Sequence, residues 1–116
     1  DEGAVEVGIL AWGSTFGESL EAMLKVRGEG IRCAAMKVVM LSPLPLEEIE
    51  KFFADCDEIL VPELNYQGQF ANLVTAATGR TVERLDRVAG RPMPVDDIVA
   101  EVRRLAKRSK RHVAAA

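Results

Sequence analysis

Four short apolar runs alternate along the chain with segments whose apolar residues recur every three or four positions, and this alternation leaves few folds open. Val5 to Trp12 is an apolar run with β-branched members, closed by Gly13. Phe16, Leu20, Met23 and Leu24 then recur at helical spacing until Gly28 and Gly30, and Thr15 with Glu18 forms a capping box. Ile31 to Val39 reads as a second strand, broken by Ser42-Pro43-Leu44-Pro45, after which Leu46, Ile49, Phe52 and Phe53 line one face of a second helix. Glu58 to Val61 reads as a third strand, ended by Pro62 because a central strand needs its backbone donors. Gly68 to Thr78 forms a third helix through Phe70, Leu73, Val74 and Ala77. Thr81 to Val88 is the most charged run and is placed at an edge, and Val95, Ile98, Val99, Val102 and Leu105 give a last amphipathic helix. Such alternation builds βαβ units with right-handed crossovers. The predicted fold is α/β: a doubly wound, mainly parallel four-stranded sheet in order 2-1-3-4 with helices on both faces.

A chain of 116 residues fits one domain, spanning 1–116, that buries roughly two-thirds of its unfolded surface. It opens Asp1-Glu2-Gly3 without a Met and enters a strand at once, so a fragment of a longer protein is expected. No apolar run approaches the ~18 residues of a membrane span, and a cytoplasmic setting without membrane partners is expected. Cys33 and Cys56 are too far apart for a Cys-x-x-Cys pair and read as buried free thiols. With His112 the only histidine, neither a zinc site nor a Ser-His-Asp triad is expected. The first 102 residues carry a net charge of −9, and six cations from Arg103 to Arg111 follow. Residues 106–116 read as a basic tail, a solvated helix end rather than a nucleic-acid surface, since no aromatics interleave with it.

One segment recurs: Pro43-x-Pro45-Leu46-Glu47-Glu48-Ile49 and Pro92-x-Pro94-Val95-Asp96-Asp97-Ile98. Proline stops an extended segment, acids suit the positive helix end and the aliphatic residues begin a buried face, so both copies read as helix starts.

In the order 2-1-3-4, the carboxyl ends of strands 1 and 3 flank the crevice where doubly wound sheets bind ligands. Two loops meet there, one holding Gly13, Ser14 and Thr15, the other Glu63, Asn65, Tyr66, Gly68 and Gln69. Gly13 to Gly17 lacks the Lys of a Walker loop and is not Gly-x-Gly-x-x-Gly. Ser14 and Thr15 suit helix capping; backbone N–H groups there also suit an anion. Glu63 lacks a visible nucleophile or partner acid and reads, with Asn65 and Gln69, as a hydrogen-bonding group for backbone or for a neighbouring surface. Tyr66 has the amphipathic character of an interface anchor. Trp12 is expected to fill the sheet end. No catalytic residue and no metal ligand is assigned.

Trp12-Gly13-Ser14-Thr15-x-Gly17, Leu41-x-Pro43-Leu44-Pro45, Val61-Pro62-Glu63-Leu64-Asn65-Tyr66-x-Gly68-Gln69 and Arg87-Val88-x-Gly90-Arg91-Pro92 stand in that order. Together they resemble the C-terminal domain of the alpha subunit of 2-oxoacid:ferredoxin oxidoreductases, nearest the 2-oxoglutarate type. More distantly the layout is similar to the transketolase C-terminal domain. The resemblance covers about Val7 to Leu105. It implies a parent enzyme that decarboxylates a 2-oxoacid with thiamine diphosphate and Mg²⁺, passes the acyl group to coenzyme A and reduces ferredoxin through an iron–sulfur cluster. The implied partners are the remaining domains of the alpha subunit, the beta subunit and ferredoxin. This chain carries no Gly-Asp-Gly thiamine motif and no cysteine cluster, so the expectation is an assembly-forming domain that holds no cofactor itself. Two rivals remain: a small-ligand module holding the phosphates of coenzyme A in the same crevice, and a free-standing flavodoxin-like signalling domain.

Overall fold

A computed structural model describes residues 5–13, 15–39, 43–64, 69–87 and 90–109. The elements run β1 (Val5–Trp12), α1 (Thr15–Arg27), β2 (Cys33–Val38), α2 (Leu46–Ala54), β3 (Cys56–Glu63), α3 (Gln69–Thr78), β4 (Glu83–Asp86) and α4 (Val95–Arg108). All three strand pairings are parallel, and the sheet order is β2-β1-β3-β4 as the alternation predicts.

The strands sit between two helical layers, which is why the central stretches of β1 (Val7–Ala11) and β3 (Ile59–Val61) are continuous apolar runs rather than alternating. On one face Val7, Ile9 and Leu60 meet Met23 and Val26 of α1 and Ile98, Val102 and Leu105 of α4. On the other, Leu10, Ile59 and Val61 meet Ile49 and Phe53 of α2 and Phe70 and Val74 of α3. Gly8 stands on this second face because a Cβ there would overlap the Cys56 Sγ atom and press on the Phe52 ring. Both cysteines are buried thiols, as expected.

The repeated proline segment does the same work twice. Pro45 and Pro94 occupy the N-cap positions of α2 and α4, where their carbonyls accept from Ile49 and Ile98. Ile49 and Ile98 are the first fully buried residues of their helices. Asp96 and Asp97 lie in the first turn of α4 and Lys107 and Arg108 in its last, each favourable to the helix dipole.

Several boundaries and faces differ from the sequence reading. Pro62 does not end β3; the strand continues to Glu63, and Pro62 is in register with Leu85. The Glu63 carbonyl accepts from Arg87 N on the β4 side at 2.9 Å, so Pro62, one residue earlier, turns its donorless nitrogen toward β1. The β1–β3 register has already ended there, at Ile9↔Leu60, and no ladder bond is lost. Thr15 is not a cap: it is the first residue of α1, and its hydroxyl donates back to the Trp12 carbonyl at 3.2 Å. The buried face of α1 is Thr15, Ser19, Ala22, Met23 and Val26, while Leu20 and Leu24 are exposed. In α3, Phe70, Ala71 and Val74 are buried, and Leu73 and Ala77 are exposed. β4 is shorter than Thr81 to Val88, and Val88 lies outside the described residues.

The supposed tail is helix up to Arg108, followed by the buried Ser109; residues 110–116 lie outside the described residues. Three of the cations from Arg103 onward are engaged within the domain. Arg103 pairs with Glu29, Arg104 with Glu83 and Glu101, and Arg108 with Glu58 and Glu83. Among the described residues no helix is long and apolar enough to cross a membrane.

Candidate functional site

The site is the cleft left where β1 and β3 part. Their register stops at Ile9↔Leu60, while β1 continues beside β2 to Trp12↔Val38 and β3 continues beside β4 to Glu63↔Asp86. The divergence opens a crevice of about 250 Å³ at the carboxyl edge of the sheet, the switch point where doubly wound sheets bind ligands. Trp12, Gly13 and Thr15 form one wall, Pro62, Glu63 and Leu64 the other, with Phe70 between.

Each wall has a local cause. Gly13 has φ +71, a left-handed conformation that turns the chain from β1 into α1 without a Cβ penalty. The Thr15 hydroxyl is spent on the Trp12 carbonyl, and the Thr15 carbonyl accepts from the Ser19 hydroxyl at 2.7 Å. Trp12 does not fill the sheet end as expected; it is 44% exposed, with its ring centroid 6.2 Å from that of Phe70.

Glu63 decides what the crevice can do. It is only 4% exposed, and its two carboxylate oxygens accept from Phe70 N at 2.9 Å and Ala71 N at 2.8 Å. Those are second- and third-position amides of α3, which begins at Gln69. The carboxylate thus supplies what an N-cap supplies and places a negative charge at the positive helix end. An incoming phosphate finds those donors taken by an anion of the protein's own. Gln69 is exposed at the start of α3. Of the other candidates, Ser14, Asn65, Tyr66 and Gly68 lie outside the described residues. The structure therefore brings Gly13, Thr15 and Glu63 together around one crevice, with Gln69 next to it.

Leu64 separates this crevice from a second hollow of about 330 Å³, bounded by Glu18 and by Arg91, Pro92 and Met93. Leu64 lines both hollows. Among the described residues no group of three or more His, Cys, Asp and Glu side chains can hold a metal ion. Burial pushes the Cys33 thiol up to about 12, with lesser opposition from Arg27, which leaves it protonated and inert.

The sequence reading missed Phe70 and Leu64 as lining groups, and it missed Arg80 altogether. The Arg80 guanidinium donates to the carbonyls of Phe53 (2.6 Å), Cys56 (2.7 Å) and Asp57 (3.1 Å), joining the C-terminus of α2 to the start of β3. No local pattern announces a clasp made 23 to 27 positions away.

Residues 5–98 match the sequence model of the family described as pyruvate:ferredoxin oxidoreductase core domain II. The chain belongs to that family. The alpha subunit of 2-oxoacid:ferredoxin oxidoreductase 1 from Aeropyrum pernix is 34% identical over 105 residues, covering 88% of this chain and 16% of that protein. The alpha subunit from Saccharolobus solfataricus is 29% identical over 93% of this chain and 17% of its own length. This core domain II thus spans about a sixth of the curated relatives it matches. Among solved structures, 2-oxoglutarate:ferredoxin oxidoreductase from Magnetococcus marinus, with 2-oxoglutarate, coenzyme A and succinyl-CoA bound, superposes with a TM-score of 0.85. It is 35% identical, over 91% of this chain and 18% of that one. A split-gene transketolase, an inactive β4 tetramer, shares the fold at a TM-score of 0.75 and 18% identity, over 92% of this chain and 40% of that one. The transketolase-like architecture of this core domain II is therefore as expected.

Proposed function

We propose that this domain is an assembly-forming, non-catalytic part of the alpha subunit of a 2-oxoacid:ferredoxin oxidoreductase. The parent enzyme decarboxylates a 2-oxoacid oxidatively, forms an acyl-CoA and reduces ferredoxin. Thiamine diphosphate, Mg²⁺ and the iron–sulfur cluster belong to its other domains or subunits, in a cytoplasmic enzyme. The supporting observation is the state of Glu63. Glu63, the one acid among the described lining residues of the crevice, accepts from two backbone amides, which argues against a role in proton transfer. The rest of the crevice's described lining, Trp12, Gly13, Thr15, Pro62, Leu64 and Phe70, is mostly apolar, and the sequence runs on from Leu64 to Asn65, Tyr66 and Gln69. A mostly apolar crevice, followed in sequence by an aromatic and two amides, has the composition of an interface centre rather than of an anion site.

Calorimetry on the 116-residue chain tests this directly. Titration with thiamine diphosphate and Mg²⁺, and separately with coenzyme A, is expected to give no saturable heat up to millimolar ligand. Saturable coenzyme A binding, abolished by Trp12→Ala, would instead make the crevice a ligand clamp.

A further inference from the structure

Helix α1 carries both of its leucines on the outside. Its core-facing stripe, Thr15, Ser19, Ala22, Met23 and Val26, is mostly small residues with one Met, whereas Leu20 is 39% and Leu24 60% exposed. Two contacts show which way the outer stripe points. Lys37 Nζ of β2 sits 5.8 Å over the Phe16 ring, and Arg27 Nε donates to the Cys33 carbonyl of β2 at 2.7 Å. Phe16, Leu20, Leu24 and Arg27 share one side of the helix by 3.6-residue periodicity. That side lies over β2, away from α4, which α1 meets through Lys25–Asp96 on its opposite side.

β2 is the end strand of the sheet, and no described strand covers its outer edge. The Arg32 carbonyl accepts from Glu6 N and Val7 N, so Arg32, Ala34 and Met36 direct their backbone groups inward. Cys33, Ala35 and Lys37 direct theirs outward. Val39, just past the strand, is 77% exposed. An apolar stripe thus runs beside an edge that no described strand covers, with Lys37 at one end and Arg27, which engages the Cys33 carbonyl, at the other. Soluble single domains seldom leave such a surface bare, because it invites pairing.

We propose that this α1–β2 face docks another domain of the full-length subunit, through an apolar segment flanked by carboxylates. The inference rests on the alpha-subunit reading above and names a second contact surface, distinct from the carboxyl-edge crevice. Two observations choose the occupant. The matched region is 16% to 17% of the curated relatives' length, so most of such a subunit lies outside it and is available to cover the face. A second copy of this chain is disfavoured by charge: a two-fold antiparallel pairing along β2 sets Lys37 beside the partner's Arg27, like against like.

Hydrogen exchange of the 33–38 segment, followed by mass spectrometry in the 116-residue chain and in the full-length subunit, tests the proposal. Exchange is expected to slow on the order of tenfold in the full-length subunit. Leu24→Arg should abolish that slowing while leaving the thermal midpoint of the 116-residue chain unchanged. Equal exchange in the two proteins overturns the proposal. Protection in the 116-residue chain that rises with its concentration also overturns it, in favour of a second copy. Turnover of a 2-oxoacid with ferredoxin, measured after the same full-length subunit has been assembled with its beta subunit, separates the two readings. Protection without turnover sinks the functional reading and keeps the docking face; turnover without protection does the reverse.

Discussion

Glu63→Gln isolates the role assigned to the crevice carboxylate, because it keeps the side chain's size and removes one acceptor and the charge. The carboxylate accepts from two buried amides, Phe70 N at 2.9 Å and Ala71 N at 2.8 Å. A glutamine offers one carbonyl oxygen and turns an NH₂ group toward the other amide. The stranded N–H costs about 1–3 kcal/mol in a buried setting. Loss of the negative charge at the start of α3 adds about 0.3–1 kcal/mol. The sum is a destabilisation of about 1.5–4 kcal/mol, or a midpoint lower by about 6–16 °C for a domain of this size. Urea unfolding followed by the fluorescence of Trp12, the only tryptophan, reads it next to the site. The slope against urea is expected to stay unchanged, since the folded core remains the same. A loss below about 0.5 kcal/mol would refute the capping role. So would normal stability combined with a roughly hundredfold loss of turnover in the full enzyme, which would make Glu63 a chemical group.

Other features give further expectations. Gly8→Ala should destabilise by about 1–3 kcal/mol, because its methyl overlaps the Cys56 sulfur, and Cys56→Ala should recover part of that loss in a double-mutant cycle of urea midpoints. Arg80→Met should cost about 2–3 kcal/mol by chemical denaturation, since three carbonyls lose a charged donor, whereas exposed Arg91→Met should be nearly neutral. The Glu83 carboxyl is held below its ordinary value of 4.5, chiefly by the hydrogen bond from Arg104 against an opposing effect of burial. Its contribution to stability is therefore present above about pH 4.5 and fades as pH falls through the depressed value; Glu83→Gln should flatten the stability–pH curve in that acid window and leave its shape near pH 7 unchanged.

The topology was legible because it follows from alternation and handedness, which need no knowledge of side-chain partners. The proline segments were legible for a similar reason: the acids and aliphatic residues of 43–49 and 92–98 act within one helical turn. The α1 face was not. Phe16, Leu20, Met23 and Leu24 recur at helical spacing, yet of these only Met23 is buried and the core otherwise takes the small residues Thr15, Ser19 and Ala22 with Val26; sequence spacing does not reveal which stripe faces inward. Pro62 misled through a rule about central strands that holds only where both neighbours are still paired. β1 has already diverged there, and that fact is three-dimensional. At the site, the meeting of the Gly13 and Glu63 loops followed from strand order, and the hydrogen-bonding nature of Glu63 from its lack of a chemical partner. Its true acceptor geometry, and the exposure of Trp12, depend on how α3 is set against β3.

The central claim is that the carboxyl-edge loop joins domains and performs no chemistry. Steady-state kinetics of the full-length enzyme carrying Tyr66→Ala, normalised to the assembled fraction measured by sedimentation, tests it most directly. The account predicts a reduced assembled fraction, with kcat per assembled enzyme and the KM for coenzyme A each within about twofold of the parent. Full assembly with a kcat lower by about a hundredfold, or with a selectively raised KM for coenzyme A, would contradict it.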